Sequence, residues 1–493
     1  MKEKSVEQHL VKQRVVVIGS GVGGLAAAIR MRAAGHDVTV LERNDVTGGK
    51  LATYERDGYT FDVGPSLITL PHVFDEVFQL AGTSLDEQVE LVRLDPQFRY
   101  SWRDGSTLEV PDDADATATA FDAFSPGAGT EWREFNDNGR TIWDISERTF
   151  FAGPMSGPMS LLRRMDSPKD LLKIDAMRTL RSAARNTFGD ERLQQWACRY
   201  ATYSGSSPDR APATLACIPH IESRFGCWYP MGGLSALRDA LQRTALDIGV
   251  DIRVRAEVEE ILSSPTRVTG VRVADGSFFD ASIVIANADA RHLYSDLLPD
   301  PTALRQVTRA PRSTSGFVMC IGARGTTPGV RHHNVWFSGD GRQEFRQIDR
   351  GRLASDPTIY GCVSSVTDPS QAPEGDENWF LLVNTPPGID IDAEEYREVV
   401  LDRLAEHGVD LRRRMRFCAT MTPTDMAHNY RAPGGAIYGS SSNGKMAAFL
   451  RPANRGAKQG LYLVGGSSHP GGGLPLVATS ARIVADMVAT DSA

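Results

Sequence analysis

Residues 15–50, VVVIGSGVGGLAAAIRMRAAGHDVTVLERNDVTGGK, decide the fold. Residues 15–18 are a continuous apolar run, which is typical of a buried strand in a parallel sheet. A glycine-rich turn follows, and residues 26–34 then have the small and aliphatic side chains of a helix packed close to that strand. Residues 38–41 form a second apolar run. The stretch therefore predicts a strand, a crossover helix and a parallel strand.

Three glycines in GxGxxG spacing predict a phosphate site between the first strand and the helix. Gly19 permits the tight turn, Gly21 lets a pyrophosphate approach the N–H groups at the positive end of the helix, and Gly24 allows close helix–strand packing. Glu42 ends the second strand, where its carboxylate can accept hydrogen bonds from a ribose. Glycine turns are common in plain loops, so the position of this one between a strand and a helix, with the acid behind it, is what predicts a dinucleotide site.

A second glycine pair with basic residues follows the acid: Arg43, Gly48, Gly49 and Lys50. Nicotinamide sites do not need this addition. The pattern resembles the FAD-binding signature of the glutathione-reductase-like flavoproteins, in the branch that includes amine oxidases and carotenoid desaturases. In that branch the glycines and a basic residue lie along the pyrophosphate and flavin, so the resemblance favours FAD.

Length and composition are those of a folded protein with two or three domains. The chain has 493 residues, 41% hydrophobic and 24% charged. Its net charge of −8 argues against a nucleic-acid partner, since nucleic-acid binding needs a basic surface. The six cysteines form no CxxC pair, residues 1–14 contain no apolar signal-peptide core, and no run of eighteen apolar residues occurs. We expect a cytoplasmic protein, with peripheral membrane contact left open.

Two further segments are candidates for ligand contact. In FDVGPS, Pro65 and Ser66 follow a strand, where the turn either faces a ligand or simply closes a hairpin. Residues 150–162, FFAGPMSGPMSLL, join flexible apolar side chains to flanking arginines: Arg148, Arg163 and Arg164. Such a segment suits the entrance of a lipophilic tunnel or a surface that enters lipid headgroups, and the alternative is a core loop between helices.

The end of the chain repeats the strand–glycine–helix pattern. Residues 283–286 and 461–464 are again buried-type strands, so the nucleotide domain returns after a long insertion. The second of these strands leads into a glycine-rich turn at 465–475 and a helix at 476–487. A helix N-terminus behind such a turn suits the electron-rich pyrimidine side of a reduced flavin.

Mixed strands and helices between residues 310 and 420 predict a second sheet. His332 and His333 occupy adjacent positions in one of these strands, where side chains point to opposite faces. No third ligand shares their spacing, so we predict no metal site.

The assembled motifs resemble one family, the bacterial-type phytoene desaturases and related carotenoid desaturases. The matching pieces extend over nearly the whole chain: residues 15–50, FDVGPS, GSSPDRAPATLACIPHIE, WYPMGGLSALRDAL, IVIANADA, HHNVWFS, APGGAIYG and LYLVGGSSHPGGGLPLV. The resemblance implies an α/β fold with a Rossmann-type, glutathione-reductase-like FAD-binding domain and an inserted mixed-sheet plus helical substrate domain. Within it we assign residues 1–75, 228–300 and 430–493 to the FAD domain, and 76–227 and 301–429 to the substrate and membrane-associated domain.

The resemblance also implies FAD as cofactor and site residues by motif matching. The ADP half is assigned to Gly19, Gly21, Gly24, Glu42, Arg43, Gly49 and Lys50. Val258 is placed against the adenine. The flavin is assigned to Pro65, Ser66, Gly465, Gly466 and Leu476.

The implied reaction is the removal of hydrogen pairs from phytoene or a later C40 or C30 polyene. An ordinary side chain cannot deprotonate an unactivated allylic C–H bond, so a hydride acceptor is needed and flavin N5 supplies it. One proton must also be removed, and His469 is the candidate acceptor, although a structural histidine explains the same residue. The ending HPGGGLPLV differs from the HPGAGIPG form of phytoene desaturases and is closer to late-acting desaturases and carotenoid oxygenases.

Three functions therefore stay open from the sequence. The first is a carotenoid desaturase that contacts the membrane surface and passes electrons to oxygen or a quinone. The second is a family member that oxidises a terminal methyl group or saturates a polyene. The third is a non-catalytic prenyl-lipid carrier. The intact set of Gly19, Gly21, Gly24 and Glu42 argues against this function, because a carrier does not need a dinucleotide site. The sequence does not reveal the oligomeric state.

Overall fold

Nineteen strands lie in residues 12–492, the part of the chain that the computed structural model describes. In chain order they are β1 (Arg14–Ile18), β2 (Asp37–Leu41), β3 (Thr53–Arg56), β4 (Tyr59–Asp62), β5 (Leu91–Arg93), β6 (Phe98–Ser101), β7 (Thr107–Val110), β8 (Trp228–Pro230), β9 (Asp251–Arg253), β10 (Val258–Ser263), β11 (Val268–Val273), β12 (Phe278–Asp280), β13 (Ile283–Ala286), β14 (Ser315–Ala323), β15 (His333–Trp336), β16 (Ile359–Cys362), β17 (Glu377–Thr385), β18 (Met415–Met421) and β19 (Leu461–Leu463).

Eighteen α-helices occupy the same described range. They are α1 (Val22–Ala33), α2 (His72–Gln79), α3 (Leu85–Gln88), α4 (Ala114–Phe124), α5 (Ala128–Thr149), α6 (Pro158–Leu162), α7 (Asp170–Lys173), α8 (Leu180–Thr187), α9 (Glu191–Arg199), α10 (Cys217–Phe225), α11 (Leu234–Asp247), α12 (Ala290–His292), α13 (Pro301–Val307), α14 (Gly341–Asp349), α15 (Ala393–Glu406), α16 (Pro423–Tyr430), α17 (Ala447–Leu450) and α18 (Leu474–Ser492). Within residues 12–492, none of the helices is both long and apolar enough to cross a membrane.

A five-stranded parallel sheet is built around β1, in the order β19-β13-β1-β2-β9. Alternate residues of β1 enter two different cores. Val15 and Val17 pack with α1, α11 and α18, whereas Val16 and Ile18 pack with the three-stranded sheet β10-β11-β12. Because both faces of the sheet are covered, the residues of β1 that point to either face are apolar, which explains the continuous apolar run at residues 15–18. The predicted parallel nucleotide-binding sheet is confirmed.

Helix α1 begins at Val22, earlier than the predicted start at residue 26. Gly23 and Gly24 lie inside the helix although glycine is a poor helix former, because there is no room for a side chain: Gly23 packs on Asn287 and Gly465, and Gly24 packs on the carbonyl of Gly19 just after β1. The last helix likewise begins at Leu474 and extends to Ser492, beyond the predicted 476–487 at both ends. Pro475 fits this first turn, where a missing N–H costs no helical hydrogen bond.

A seven-stranded sheet forms the second unit, in the order β18-β14-β17-β16-β15-β6-β7. Its pairings are antiparallel except for β15 against β6, so the sheet is mixed, as predicted. The inserted helices α4, α5, α8, α9 and α10 pack beside it through an aromatic core that includes Phe121, Phe135 and Trp196. The predicted fold class is confirmed. The exact domain boundaries stay a prediction, and residues 1–11 of the first segment lie outside the described residues.

Gly24→Ala should destabilise the protein by about 3 kcal/mol, the upper end of ordinary overpacking costs. A Cβ at this position would lie 2.0 Å from the carbonyl oxygen of Gly19, so helix and strand must separate. Urea unfolding followed by circular dichroism measures the change. Gly189→Ala is the control, because a Cβ there meets only Glu131 Oε1 at 3.4 Å. Equal stability of the two variants would contradict the packing argument.

Candidate functional site

The turn after β1 leaves the start of α1 open to a ligand. Gly19 has a φ of +89°, a left-handed conformation that glycine adopts without strain. Gly21 caps α1, and in the described part of the chain no side chain accepts a hydrogen bond from the first turn. A helix N-terminus with free N–H groups is a binding site for phosphate.

A second glycine turn, after β19, meets the first across a gap too narrow for side chains. A Cβ on Gly23 would lie 3.2 Å from Gly465 Cα, and Gly465 itself has a φ of +96°. The Asn287 side chain, at the end of β13, fills the space between them: a Cβ on Gly465 would lie 2.5 Å from Asn287 Oδ1. We call this contact the glycine seam, comprising Gly19, Gly21, Gly23, Gly24 and Gly465.

Glu42 ties the end of β2 to the glycine seam. It is 4% exposed. Its Oε2 accepts hydrogen bonds from the N–H and hydroxyl of Ser20 at 2.9 and 2.7 Å, and its Oε1 accepts from the N–H of Asn44 at 2.9 Å. The carboxylate is thus held at the carboxyl edge of the sheet, where the sequence placed it. Its contact with a ribose stays a prediction.

The second glycine pair packs directly on the first. The N–H of Gly48 donates to the carbonyl of Ser20 at 3.0 Å, and a Cβ on Gly49 would lie 3.3 Å from Gly21 Cα. Lys50 Nζ donates to the carbonyl of Ile437 at 2.5 Å. Burial lowers the pKa of Lys50, and the nearby Asp289 carboxylate partly offsets this. The structure therefore brings Gly49 and Lys50 to the seam.

Arg43 and Val258 lie on the outer side of the same edge. The Arg43 guanidinium donates to the carbonyls of His428 and Asn429 at 3.1 and 3.3 Å, so it is bound to the end of α16. Val258 opens β10 and lines an open cavity of about 550 Å³, together with Arg431 and others. The adenine contact of Val258 stays a prediction.

The GPS turn joins the nucleotide loops to the seven-stranded sheet. Gly64 lies so close to Lys50 that a Cβ would be 1.8 Å from its carbonyl oxygen. Beyond Pro65, Ser66 Oγ lies 2.5 Å from the hydroxyl of Tyr360, which lies 2.9 Å from His333 Nδ1. The β3–β4 hairpin is closed by residues 57–58, so the GPS turn does not close it; the turn connects β4 to the seven-stranded sheet instead. The sequence contained no sign of Tyr360.

The prediction that the adjacent histidines point to opposite faces was wrong. The ring centroids of His332 and His333 are 4.5 Å apart, because β15 begins at His333 and strand alternation does not apply to His332. Cys362 pairs in register with His333, and one possible ligand atom from each of the three lies within 4.8 Å of the others. Spacing along one segment cannot reveal this third group. Burial lowers the pKa of His332 to about 3, which keeps its ring neutral.

The turn before α18 holds His469 in a buried position. Its Nε2 donates to the carbonyl of Gly153 at 3.2 Å, while its Nδ1 is buried and has no hydrogen-bond partner within residues 12–492. Burial lowers its pKa to about 4, so the ring is neutral near pH 7. In the same turn, Gly466 packs so closely on Gly472 that a Cβ on Gly466 would lie 3.3 Å from the Cα of Gly472. Leu476 lies in the first turn of α18.

The apolar segment at residues 150–162, predicted as a tunnel entrance or a membrane-contacting surface, has both buried and exposed side chains. Met155 and Leu161 pack with Ile145, Ile174 and Phe449. Other apolar side chains nearby are exposed: Met159, Leu162, Leu171, Leu172, Met177, Met446 and Leu450, which we call the apolar patch. Leu172 is 79% exposed.

The basic residues around the apolar patch only partly match the prediction. Arg148 pairs with Asp170, and Arg164 donates to main-chain carbonyls, so neither arginine is free. Arg163 is exposed, as are two lysines, Lys169 and Lys173, that the sequence analysis did not single out. At its first residue the segment reaches the turn before α18, where Phe150 contacts His469 with ring centroids 4.6 Å apart.

Comparison with known proteins identifies the family. Residues 22–489 match the model of the flavin containing amine oxidoreductases. The chain is 35% identical to the 4,4'-diapolycopene oxygenase of Methylomonas sp over 97% of its length and 98% of that protein. It is 34% identical to the 1-hydroxycarotenoid 3,4-desaturase of a Flavobacterium species over 98% of its own length and 100% of that protein. An oxidoreductase from Methanosarcina mazei shares the fold, with a TM-score of 0.65 and 19% identity over 96% of this chain and 100% of that one.

The match to the family model and the full-length relatives agree with the parallel sheet, the glycine seam and the mixed second sheet. The chain belongs to the flavin-containing amine oxidoreductase family, in its carotenoid desaturase and oxygenase branch, and is a flavoprotein oxidoreductase of the carotenoid desaturase type.

Proposed function

We propose that this protein is an FAD-dependent desaturase that removes hydrogen pairs from an acyclic carotenoid. The observation that carries the proposal is the series of packed side chains that connects the segment of the exposed apolar patch, through Phe150, to His469 in the turn before α18. A polyene is long, apolar and dissolved in the membrane, so it needs such an entry. The relatives named above act on carotenoids by name, including a desaturase.

FAD fits the residues at the seam. Gly21 and Gly23 carry no side chains that could cover the start of α1, so a pyrophosphate can approach the backbone N–H groups there, with Asn287 on the other side of the turn. Glu42 is held by Ser20 at the end of β2, where it would accept hydrogen bonds from the ribose, and Gly466 and Leu476 would lie along the flavin. When bound, the flavin supplies a two-electron acceptor for hydride.

The protein's own residues would orient the polyene and accept the proton. The aromatic ring of Phe150 and the buried apolar cluster behind it exclude water from the path. His469 can accept a proton at Nδ1, which has no other partner, while its Nε2–H stays bound to Gly153. The pKa of about 4 is sufficient, because a proton beside an allylic cation is strongly acidic.

Oxygenation of a terminal methyl group is the second candidate, favoured by the full-length similarity to a 4,4'-diapolycopene oxygenase. Both activities begin with oxidation of an acyclic polyene in the same site. They differ in the mass of the product, since desaturation removes two hydrogens per step and oxygenation adds oxygen.

The purified protein should be yellow and release FAD on denaturation, and it should convert an acyclic carotenoid in cells that make a single precursor. The expected product is lighter than its precursor by two hydrogens per step, as measured by mass spectrometry. Gly21→Val is the inactive control, because its side chain would collide with Asn287 and exclude the pyrophosphate. A colourless wild-type protein, or unchanged polyenes with every precursor, would contradict the proposal; an oxygen-containing product would establish the second candidate.

His469→Gln should lower product formation about 100-fold, in the range that general-base catalysis contributes. Glutamine keeps a donor for the Gly153 carbonyl but cannot accept the proton. Because the lowered pKa leaves His469 neutral above about pH 5, wild-type activity should vary little between about pH 6 and 8. Product per bound FAD in lipid vesicles is the measurement. Loss of FAD or of thermal stability with unchanged turnover per FAD would assign His469 a structural role instead.

Leu172→Asp with Met177→Asp should weaken membrane binding at least tenfold, because both side chains belong to the apolar patch. Vesicle flotation with anionic and neutral lipids measures binding, and Lys169 and Lys173 predict the stronger binding to anionic lipid. Leu246→Asp is the control, since Leu246 is exposed on α11, outside the patch. Equal flotation of all variants would exclude the patch as the docking surface.

A further inference from the structure

One partly buried cation beside the turn before α18 has no role in the function proposed above. Arg451 follows α17 and lies against the turn that precedes α18. Its Nη1 donates to the carbonyl of Gly466 at 3.3 Å and its Nη2 to the carbonyl of Ser440 at 3.2 Å. Gly471 packs on the guanidinium so closely that a Cβ would lie 3.1 Å from its central carbon. The two carbonyls fix the orientation of the group.

Arg451 lacks a counter-charge. Within residues 12–492 no carboxylate lies at ion-pair distance from it, and burial alone lowers its pKa, to about 10. Two other cations with reduced exposure are compensated: Lys50 is attracted by Asp289, and Arg199 lies beside Glu222 and three tyrosines. A guanidinium that loses much of its water without gaining an anion is unfavourable, so the site suits an anion that the polypeptide does not supply.

The position of Arg451 identifies the anion. Transfer of hydride moves two electrons and one proton from a polyene C–H bond to the flavin, which leaves a positive charge on the polyene and a negative charge on the pyrimidine edge of the ring. The turn at Gly465, Gly466 and Leu476 is where we place the flavin. The pyrophosphate is placed at the other end of the seam, at the start of α1 near Lys50.

We propose that Arg451 contacts the pyrimidine edge of the bound flavin and stabilises the negative charge of its reduced form. Its two backbone acceptors hold it there before the substrate arrives, so no reorganisation is needed when the charge develops. The inference rests on the proposed FAD site, and it gives Arg451 a redox role distinct from proton removal by His469.

Sulfite binding and the reduction potential test this role independently of turnover, since sulfite adds to flavin N5 and places the same negative charge on the ring. Arg451→Met should weaken the sulfite adduct at least tenfold and lower the two-electron potential. Arg451→Lys should retain most of both. The matched control is Arg455→Met. Arg455 lies four residues after Arg451, is exposed and pairs with Asp491. Holoenzyme reconstituted with FAD is used throughout.

Four outcomes separate the possibilities. Weakened sulfite binding in Arg451→Met alone, with FAD retained, supports the proposal. Sulfite affinity and potential within twofold of wild type, with FAD bound, overturn it and leave the FAD site intact. Loss of FAD from folded Arg451→Met and Arg451→Lys alike, with ADP affinity reduced equally, assigns Arg451 to the pyrophosphate and also overturns it. A wild-type protein that takes up no FAD would instead refute the proposed function.

Discussion

The structure depends on the close approach of two glycine turns at the carboxyl edge of one parallel sheet. Gly23 of α1 and Gly465 after β19 come so near that neither can carry a side chain, and Asn287 closes the remaining space. This contact brings together strands from the beginning, middle and end of the chain. It also places the N-termini of α1 and α18 at the same edge, so two positive helix ends are available to one anionic ligand.

The rest of the molecule adds an apolar side to this polar centre. The seven-stranded sheet reaches the nucleotide loops through Ser66 and Tyr360, and the helical insertion reaches them through Phe150. The histidines at these contacts are buried and their pKa values are lowered, so they are neutral bases and not charges. A site with few free charges suits a hydrocarbon substrate, and the uncompensated Arg451 stands out against it.

The sequence predicted the elements that depend on local pattern. Gly19, Gly21 and Gly24 with Glu42 predicted the strand–helix–strand unit, and the glycine-rich ending predicted the second helix N-terminus, because backbone conformation and close packing require glycine there. Contacts between distant segments were not predictable. Tyr360, Cys362 and Arg451 come to the site from other strands and loops, and nothing in their own neighbourhood indicates a role. The adjacent histidines were misread because the strand begins between them.

Anaerobic titration of the purified, FAD-loaded protein with an acyclic carotenoid in lipid vesicles tests the central claim most directly. The claim is that the polyene enters through the apolar patch and gives up hydride beside the glycine seam. It predicts loss of the visible absorbance of the flavin, with one flavin reduced for each new double bond formed. A flavin that stays oxidised with every acyclic carotenoid tested, in protein that binds both FAD and vesicles, would contradict it.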